Sequence, residues 1–400
     1  MVERNMRLRG IVLTLSIVVG ATVSNIYYAQ PLSGTMMDAF HVSALAIGVV
    51  LASIQIGFAV GLAFVVPLGD ISDCRKLCSI LLIACGVSLL GMSLAPNIYL
   101  LVSFGVMTGV ASSVVHILVP YASKLAPVEQ RGAVVGTVMT GLFTGILLSR
   151  TVAGLISDYY GWRWVFGVAA AVTFTQAAVV TARLPRSQPT AGLSYRDLVS
   201  SVFELVKRHR ELRVRMLYGG LEFAAFSAFW STVGIVLRDR YGWSDASIGL
   251  FALIGVAGIA VARVAGRLVD MNWQRGLTGG FLAVIAISFA VLGTDNITGM
   301  IGVFVGAVLL DFAVQGLQVT NQSVVFSLEE NAQSRINTAY MTAYFCAGAV
   351  GSATAAVAYS LGGWRAVCFC GSLFPLLGLA VWLGESPRFH SSADSKVVQT

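Results

Sequence analysis

Residues 77–95 contain no charged side chain, and neither do residues 366–384. An apolar run of about 20 residues is long enough to cross the ~30 Å hydrocarbon core of a bilayer as a helix. By that measure the chain holds twelve such runs, near 10–36, 43–69, 77–95, 98–121, 132–157, 162–183, 216–237, 246–268, 276–293, 298–327, 336–361 and 364–384. The run near 132–157 contains Arg150 and the one near 298–327 contains Asp311, so both readings require a buried charge. Only 11% of the 400 residues are charged, whereas a water-soluble surface needs about 25%. The expected fold class is an all-α membrane protein.

The net charge of +7 points to topology rather than to nucleic acid, because the basic residues cluster in a few connectors. With the N-terminus placed in the cytoplasm, 20 of the 26 basic residues fall on the inner side. Only Arg163, Arg238, Arg240 and Arg365 fall outside, and Arg150 and Arg263 lie within runs. The excess of inner Lys and Arg therefore predicts that both termini are cytoplasmic. Arg4, Arg7 and Arg9 precede a first apolar run that continues to about Met37 with no short core and cleavage site. A first spanning helix is expected there rather than a signal peptide.

The six cysteines form no C-x-x-C pair and the four histidines are scattered, so no metal and no cofactor are expected. The long connector 184–213 divides the chain into a bundle over 1–183 and a bundle over 214–388, with a tail over 389–400. Within the connector, Leu198, Val202, Leu205 and Val206 recur at helical spacing among basic residues. That pattern fits an amphipathic helix on the cytoplasmic membrane surface or a solvated linker helix.

The two halves repeat one another. Leu68, Asp70, Arg75 and Leu77 return as Leu268, Asp270, Arg275 and Leu277, and Gly161-Trp162-Arg163 returns as Gly363-Trp364-Arg365. Parallel repeats of this kind are a signature of secondary transporters whose site lies between the halves.

The Asp70/Arg75 connector and its second copy, from Gly266-Arg267-Leu268-Val269-Asp270 to Arg275, resemble the loop motif of the major facilitator superfamily. The run Asn25-Ile26-Tyr27-Tyr28-Ala29-Gln30-Pro31-Leu32 and the Gly-Trp-Arg turns resemble its bacterial drug:proton antiporter and sugar-efflux-like branch. The first copy departs from the motif at Val66, Ile71, Asp73 and Cys74, and Gly105 stands where many proton antiporters carry arginine. The resemblance implies twelve transmembrane helices in two pseudo-symmetric six-helix bundles around a central cavity lined by helices one, four, seven and ten. It also implies that Asp70, Arg75, Asp270 and Arg275 are gating residues that latch the halves in an outward-open state. A solvated turn is the other reading of those four.

A charge at mid-bilayer costs ~3 kcal/mol or more and is functional by default. Asp311, Gln315, Gln318 and Gln322 fall on one helical face. Asp311 and Glu222 are the candidate proton carriers, with His116 a partner or relay, and an interhelical hydrogen bond is the structural alternative for each. Glu222 also lies within reach of Arg215, and Arg150 either faces a substrate or snorkels outward toward Asp158. Asn25, Tyr28, Gln55, His116, Arg150, Phe226, Trp230, Gln315, Gln318, Gln322 and Tyr344 are the candidate cavity residues.

These features predict a secondary transporter working by alternating access in a bacterial inner membrane. The first reading is a proton-coupled exporter of small amphipathic or hydrophobic molecules; the alternative is a symporter or facilitator for a polar nutrient such as a sugar. The expected partners are a small-molecule substrate, protons and membrane lipid, and no nucleic acid, with the chain acting as a monomer. No converging nucleophile, base and orienting group is present to suggest an enzyme.

Overall fold

The computed structural model describes residues 2–127, 130–185, 194–255, 261, 265, 268–269, 271, 273–329 and 332–385, with side chains from Arg9 onward and without that of Asn296. Among these residues the chain is helical throughout. The first half comprises α1 (Val2–Ser24), α2 (Ser33–Phe40), α3 (Ala44–Val60), α4 (Leu68–Ile71), α5 (Cys74–Leu94), α6 (Ile98–Ser112), α7 (Val115–Leu125), α8 (Arg131–Tyr160) and α9 (Trp162–Arg183). The connector forms α10 (Tyr195–Arg208). The second half comprises α11 (Arg210–Tyr241), α12 (Asp245–Phe251) with a 3₁₀ turn (Ala252–Gly255), α13 (Gln274–Leu292), α14 (Asp295–Thr298), α15 (Met300–Ser327) and α16 (Gln333–Gly384).

Nine of the described helical segments are long and apolar enough to cross a membrane, and Arg9–Ser24 and Asp245–Gly255 are shorter apolar helices. The longest, α16, is two spans in one, because Gly362 and Gly363 break it with non-helical dihedrals. With α16 divided, the described residues hold ten spans and two shorter apolar helices, an arrangement consistent with twelve crossings. A stripe on α5 (Ile80, Ile83, Val87, Leu90, Leu94) is large, apolar and exposed. Such a surface is stable only against lipid.

The sequence repeat is also a structural repeat. Gly161 and Gly363 both take positive φ, 89° and 63°, where a side chain would be strained. Each turn then buries the tryptophan that follows: Trp162 is 5% exposed and Trp364 is fully enclosed. The Trp364 Nε1 donates to the Leu292 carbonyl at 3.0 Å.

Two expectations need correction. The first apolar run is not a single helix to residue 36: α1 stops at Ser24, and residues 25–32 form successive turns before α2. Three-residue turn bonds such as Tyr27 N to Ser24 O (3.0 Å) and Gln30 N to Tyr27 O (3.1 Å) replace the helical ladder. Pro31 has no amide hydrogen and disfavours helical geometry in the residue before it. Helix seven, expected over 216–237, instead runs from Arg210 to Tyr241. The connector contains α10, capped by Ser194 and burying Leu198 and Leu205, and its Tyr195 hydroxyl donates to the Phe64 carbonyl at 2.8 Å.

At the end expected from the sequence to lie outside, called the outer end, the halves are tied together. Thr35 Oγ1 donates to Asp245 at 2.7 Å, Ser157 Oγ to the same carboxylate at 2.5 Å, and Arg238 Nη2 to Asp38 Oδ2 at 2.8 Å. Glycines bring the backbones together there: a Cβ on Gly154 would strike the Asp245 carbonyl oxygen.

Candidate substrate site

Unwinding the chain after Ser24 turns Tyr27 and Gln30 toward α8. The Arg150 Nε donates to Gln30 Oε1 at 2.7 Å, and its guanidinium carbon lies 4.9 Å from the Tyr27 ring centre and 4.4 Å from that of Trp230. Phe226 flanks it at 5.7 Å. Arg150 is only 4% exposed, so it does not snorkel outward, and Asp158 is exposed on the helix surface. Aromatic faces attract a desolvated guanidinium, but they do not use its N–H donors. Nη2 has no partner among the described residues.

Trp230 joins this cation to the second half. Its indole Nε1 donates to Asp311 Oδ1 at 3.2 Å, and Asp311 is 4% exposed. The backbone at Gly255 closes the other side, where a Cβ would stand 3.3 Å from Asp311 Oδ2. A buried cation from α8 and a buried carboxylate from α15 therefore meet on one indole from α11, without direct contact between them.

Along α11, Phe223, Phe226 and Trp230 follow helical spacing and form an aromatic column. Phe223 stacks on Tyr344 with centroids 4.0 Å apart and on Phe226 at 5.7 Å. On the other side, Phe58 meets Phe345 across the two halves at 4.4 Å. Gln55 reaches across the same seam, donating to Ser227 and Ser352 at 3.4 Å each.

Glu222 lies on α11, two turns from Trp230, and is fully enclosed. Asn321 Nδ2 donates to its Oε2 at 3.4 Å, while Oε1 has no partner among the described residues. The Asn321 side-chain oxygen accepts from Arg215 Nη1 at 3.4 Å, and Arg215 Nε donates to Glu211 at 2.9 Å. Glu222 and Arg215 are thus linked through Asn321 rather than paired.

The remaining candidates are distributed as follows. Gln318 accepts from the Tyr340 hydroxyl at 2.5 Å, Gln318 and Gln322 both approach the Met341 sulfur at 3.9 Å, and Gln315 is half-buried on the same face. His116 lies edge-on to Phe58 at 5.7 Å, and Tyr28 is half-buried. Asn25 is turned into the first bundle, where its amide donates to Cys85 Sγ at 3.4 Å. Asp70 pairs with Lys124 of its own half at 3.5 Å. Arg75 begins α5, whose N-cap is Asp73. Arg275 donates to the carbonyls of Glu385 (2.6 Å) and Trp382 (3.4 Å). Asp270 lies outside the described residues.

Sequence reasoning missed Tyr27, Gln30 and Asn321. Gln30 sits in the quoted Asn25–Leu32 run, and its neighbour Pro31 signals the turn that aims it.

The chain matches the Major Facilitator Superfamily over residues 12–352. It is 38% identical over 374 residues to the transporter YgaY of Escherichia coli O157:H7, covering 93% of this chain and 94% of that one. It is 30% identical over 378 residues to the probable transporter SCO4007 of Streptomyces coelicolor, covering 94% and 86%. Its fold is like that of a bacterial homologue of the human lysosomal transporter Spinster in an inward-facing, occupied conformation. That match has a TM-score of 0.74 at 12% identity, covering 94% of this chain and 96% of that one. The chain is a multi-pass membrane transport protein and belongs to the Major Facilitator Superfamily.

Proposed function

We propose that the chain is a proton-coupled transporter of small amphipathic molecules, with Asp311 as the proton-carrying group and Arg150, Phe226 and Trp230 against the substrate. The observation that carries this reading is the meeting of Arg150 and Asp311, buried charges from opposite halves, on the Trp230 indole. Charges at this depth are costly, and their attraction is weakly screened. A proton on Asp311 removes the carboxylate's charge and weakens that attraction between the halves. A bias of about 1.4 kcal/mol changes a two-state ratio tenfold, so one proton suffices to shift which side is open.

Export against protons and uptake with protons both run on such a site. The aromatic column of Phe223, Phe226 and Trp230 supports export of amphipathic or hydrophobic molecules. The fixed cation Arg150 supports the second reading, cotransport of a polar metabolite. Glu222 is a second proton site linked to the cytoplasmic end through Asn321 and Arg215, and His116 is a relay. Asp70, Arg75, Asp270 and Arg275 are the inner latch. The distribution of basic residues supports both termini in the cytoplasm, the bacterial relatives support a bacterial inner membrane, and the chain acts there as a monomer.

The test is thermal unfolding of the purified protein against drugs, sugars and metabolites at acidic and alkaline pH, since a ligand of the folded state raises apparent stability. The expected result is a set of ligands whose stabilisation depends on pH, with that dependence absent in Asp311→Asn. Stabilisation independent of pH and equal in the variant would remove Asp311 from the mechanism.

A further inference from the structure

We infer that the substrate is an organic monoanion, a carboxylate on an apolar body, bound by Arg150 and carried in the same direction as the proton on Asp311. The inference rests on Asp311 being the proton site, and it takes cotransport over exchange.

The first argument is the unanswered donor. Arg150 is 4% exposed, uses Nε on Gln30, and has Nη2 without a partner among the described residues. A buried guanidinium donor left unbonded costs free energy that an arriving carboxylate recovers, because charge-assisted bonds of this type are the strong ones. The walls around that donor are Tyr27, Phe226 and Trp230. They suit the apolar body of an amphipathic acid and offer a sugar no ring of hydrogen-bond partners.

The second argument is charge balance in a buried space. Among the described residues around the Trp230 indole, the empty site holds one cation and one carboxylate, a net charge of zero. An anion bound alone leaves the site at minus one, and a proton bound alone leaves it at plus one. An anion and a proton together return it to zero, with the guanidinium facing the substrate and Asp311 neutral. Uncompensated charge is expensive in a closed interior. The empty and doubly loaded states are therefore the two that cross the membrane easily, which is cotransport. A cation bound at Asp311 would leave the site at plus one beside Arg150.

Among the described residues, the groups facing Asp311 are few. Arg150 comes from α8, with Tyr27 beneath the same guanidinium, and α11 supplies the Trp230 N–H. The 3₁₀ turn supplies the backbone of Gly255, with Leu147 of α8 beside it. Tyr340 and Tyr344 of α16 meet Gln318 and Phe223, and Glu222 is held by Asn321.

The experiment measures binding of benzoate, phenylacetate, cinnamate and octanoate, each beside its matching amide and amine, to the purified full chain. Measurements are made at about pH 6 and about pH 8, where small carboxylic acids are ionised. The expected result is that carboxylates bind and amides and amines do not, with affinity rising up to about tenfold per pH unit of acidification as a proton is taken up with the anion. Arg150→Gln loses the binding and Arg150→Lys retains a weakened form of it. Asp311→Asn keeps carboxylate binding with no pH dependence. Binding of amines, tighter at alkaline pH and lost in Asp311→Asn, overturns the anion and leaves proton coupling standing. Binding by no carboxylate of the panel, or binding unchanged in Arg150→Gln, also overturns the anion. Carboxylate binding with the same pH independence in the parent and in Asp311→Asn overturns the proton site beneath it.

Discussion

At the outer end of the interface and at its middle, the protein buries charge in two different ways. Asp245 is 4% exposed, and both of its oxygens are occupied. Thr35 donates to each, Ser157 adds a bond to Oδ2, and Arg238 approaches Oδ1 at 3.4 Å. In the middle, Arg150 keeps an unused donor and Glu222 an unused acceptor among the described residues. A fully satisfied polar cluster holds one arrangement, whereas a partly satisfied one leaves a place that another group can complete. On the proposed mechanism, the outer cluster acts as a closure and the middle cluster as a receptor.

The largest effect expected from breaking this contrast is at the closure. Asp245→Asn removes the charge that gathers donors from both halves, and hydrogen bonds to a charged group are worth about 1.5–3 kcal/mol. The outer-closed state should lose about tenfold or more of its advantage. Spin labels on Tyr160→Cys and Ile297→Cys, both exposed near the outer end, report this in a chain whose Cys346 and Cys370 are replaced. A second, longer distance population is expected. An unchanged distribution would mean that the glycine contacts, not Asp245, hold the outer end.

A smaller effect sharpens the other side of the contrast. Glu222→Gln keeps the shape of a side chain whose one hydrogen bond among the described residues is the 3.4 Å contact to Asn321. Removing a buried charge so weakly held is often neutral or stabilising. Thermal unfolding of the variant should therefore match or exceed the parent, and the pH dependence of ligand binding should remain. A marked loss of stability would show Glu222 to be a structural anchor like Asp245.

Much of the middle cluster was legible before the fold was known, because apolar surroundings make each polar residue conspicuous. Asp311, Arg150, Glu222 and Trp230 stand out within long apolar runs, and Gln318 and Gln322 follow from helical spacing. Residues 25–32 were not legible, because periodicity assumes a continuous helix. With α1 stopping at Ser24, Asn25 turns to Cys85 and Gln30 reaches Arg150 instead. Asn321 escaped notice because it sits beside the glutamine face and turns toward α11. The closure was invisible for a different reason. Thr35, Asp38, Ser157, Arg238 and Asp245 are ordinary polar residues at helix ends, and only the packing of two halves brings them together.

The proposed inner latch marks the lower bound of these effects. Asp70 and Lys124 are 40% and 51% exposed, lie 3.5 Å apart and belong to the same half. An exposed pair of this kind contributes about 0–1 kcal/mol, and this one lies within one half. Lys124→Ala should therefore leave the outer-end distance distribution as it is in the parent, unlike Asp245→Asn. Asp70 matters only where the inner ends meet, so Asp70→Asn should act on the opposite state. In the same spin-label measurement it should shift the population further toward outer closure, by less than Asp245→Asn shifts it away. A shift of Asp70→Asn toward outer opening would show that the motif does not stabilise the outward-open state, and the two ends of the interface would then not be opposed.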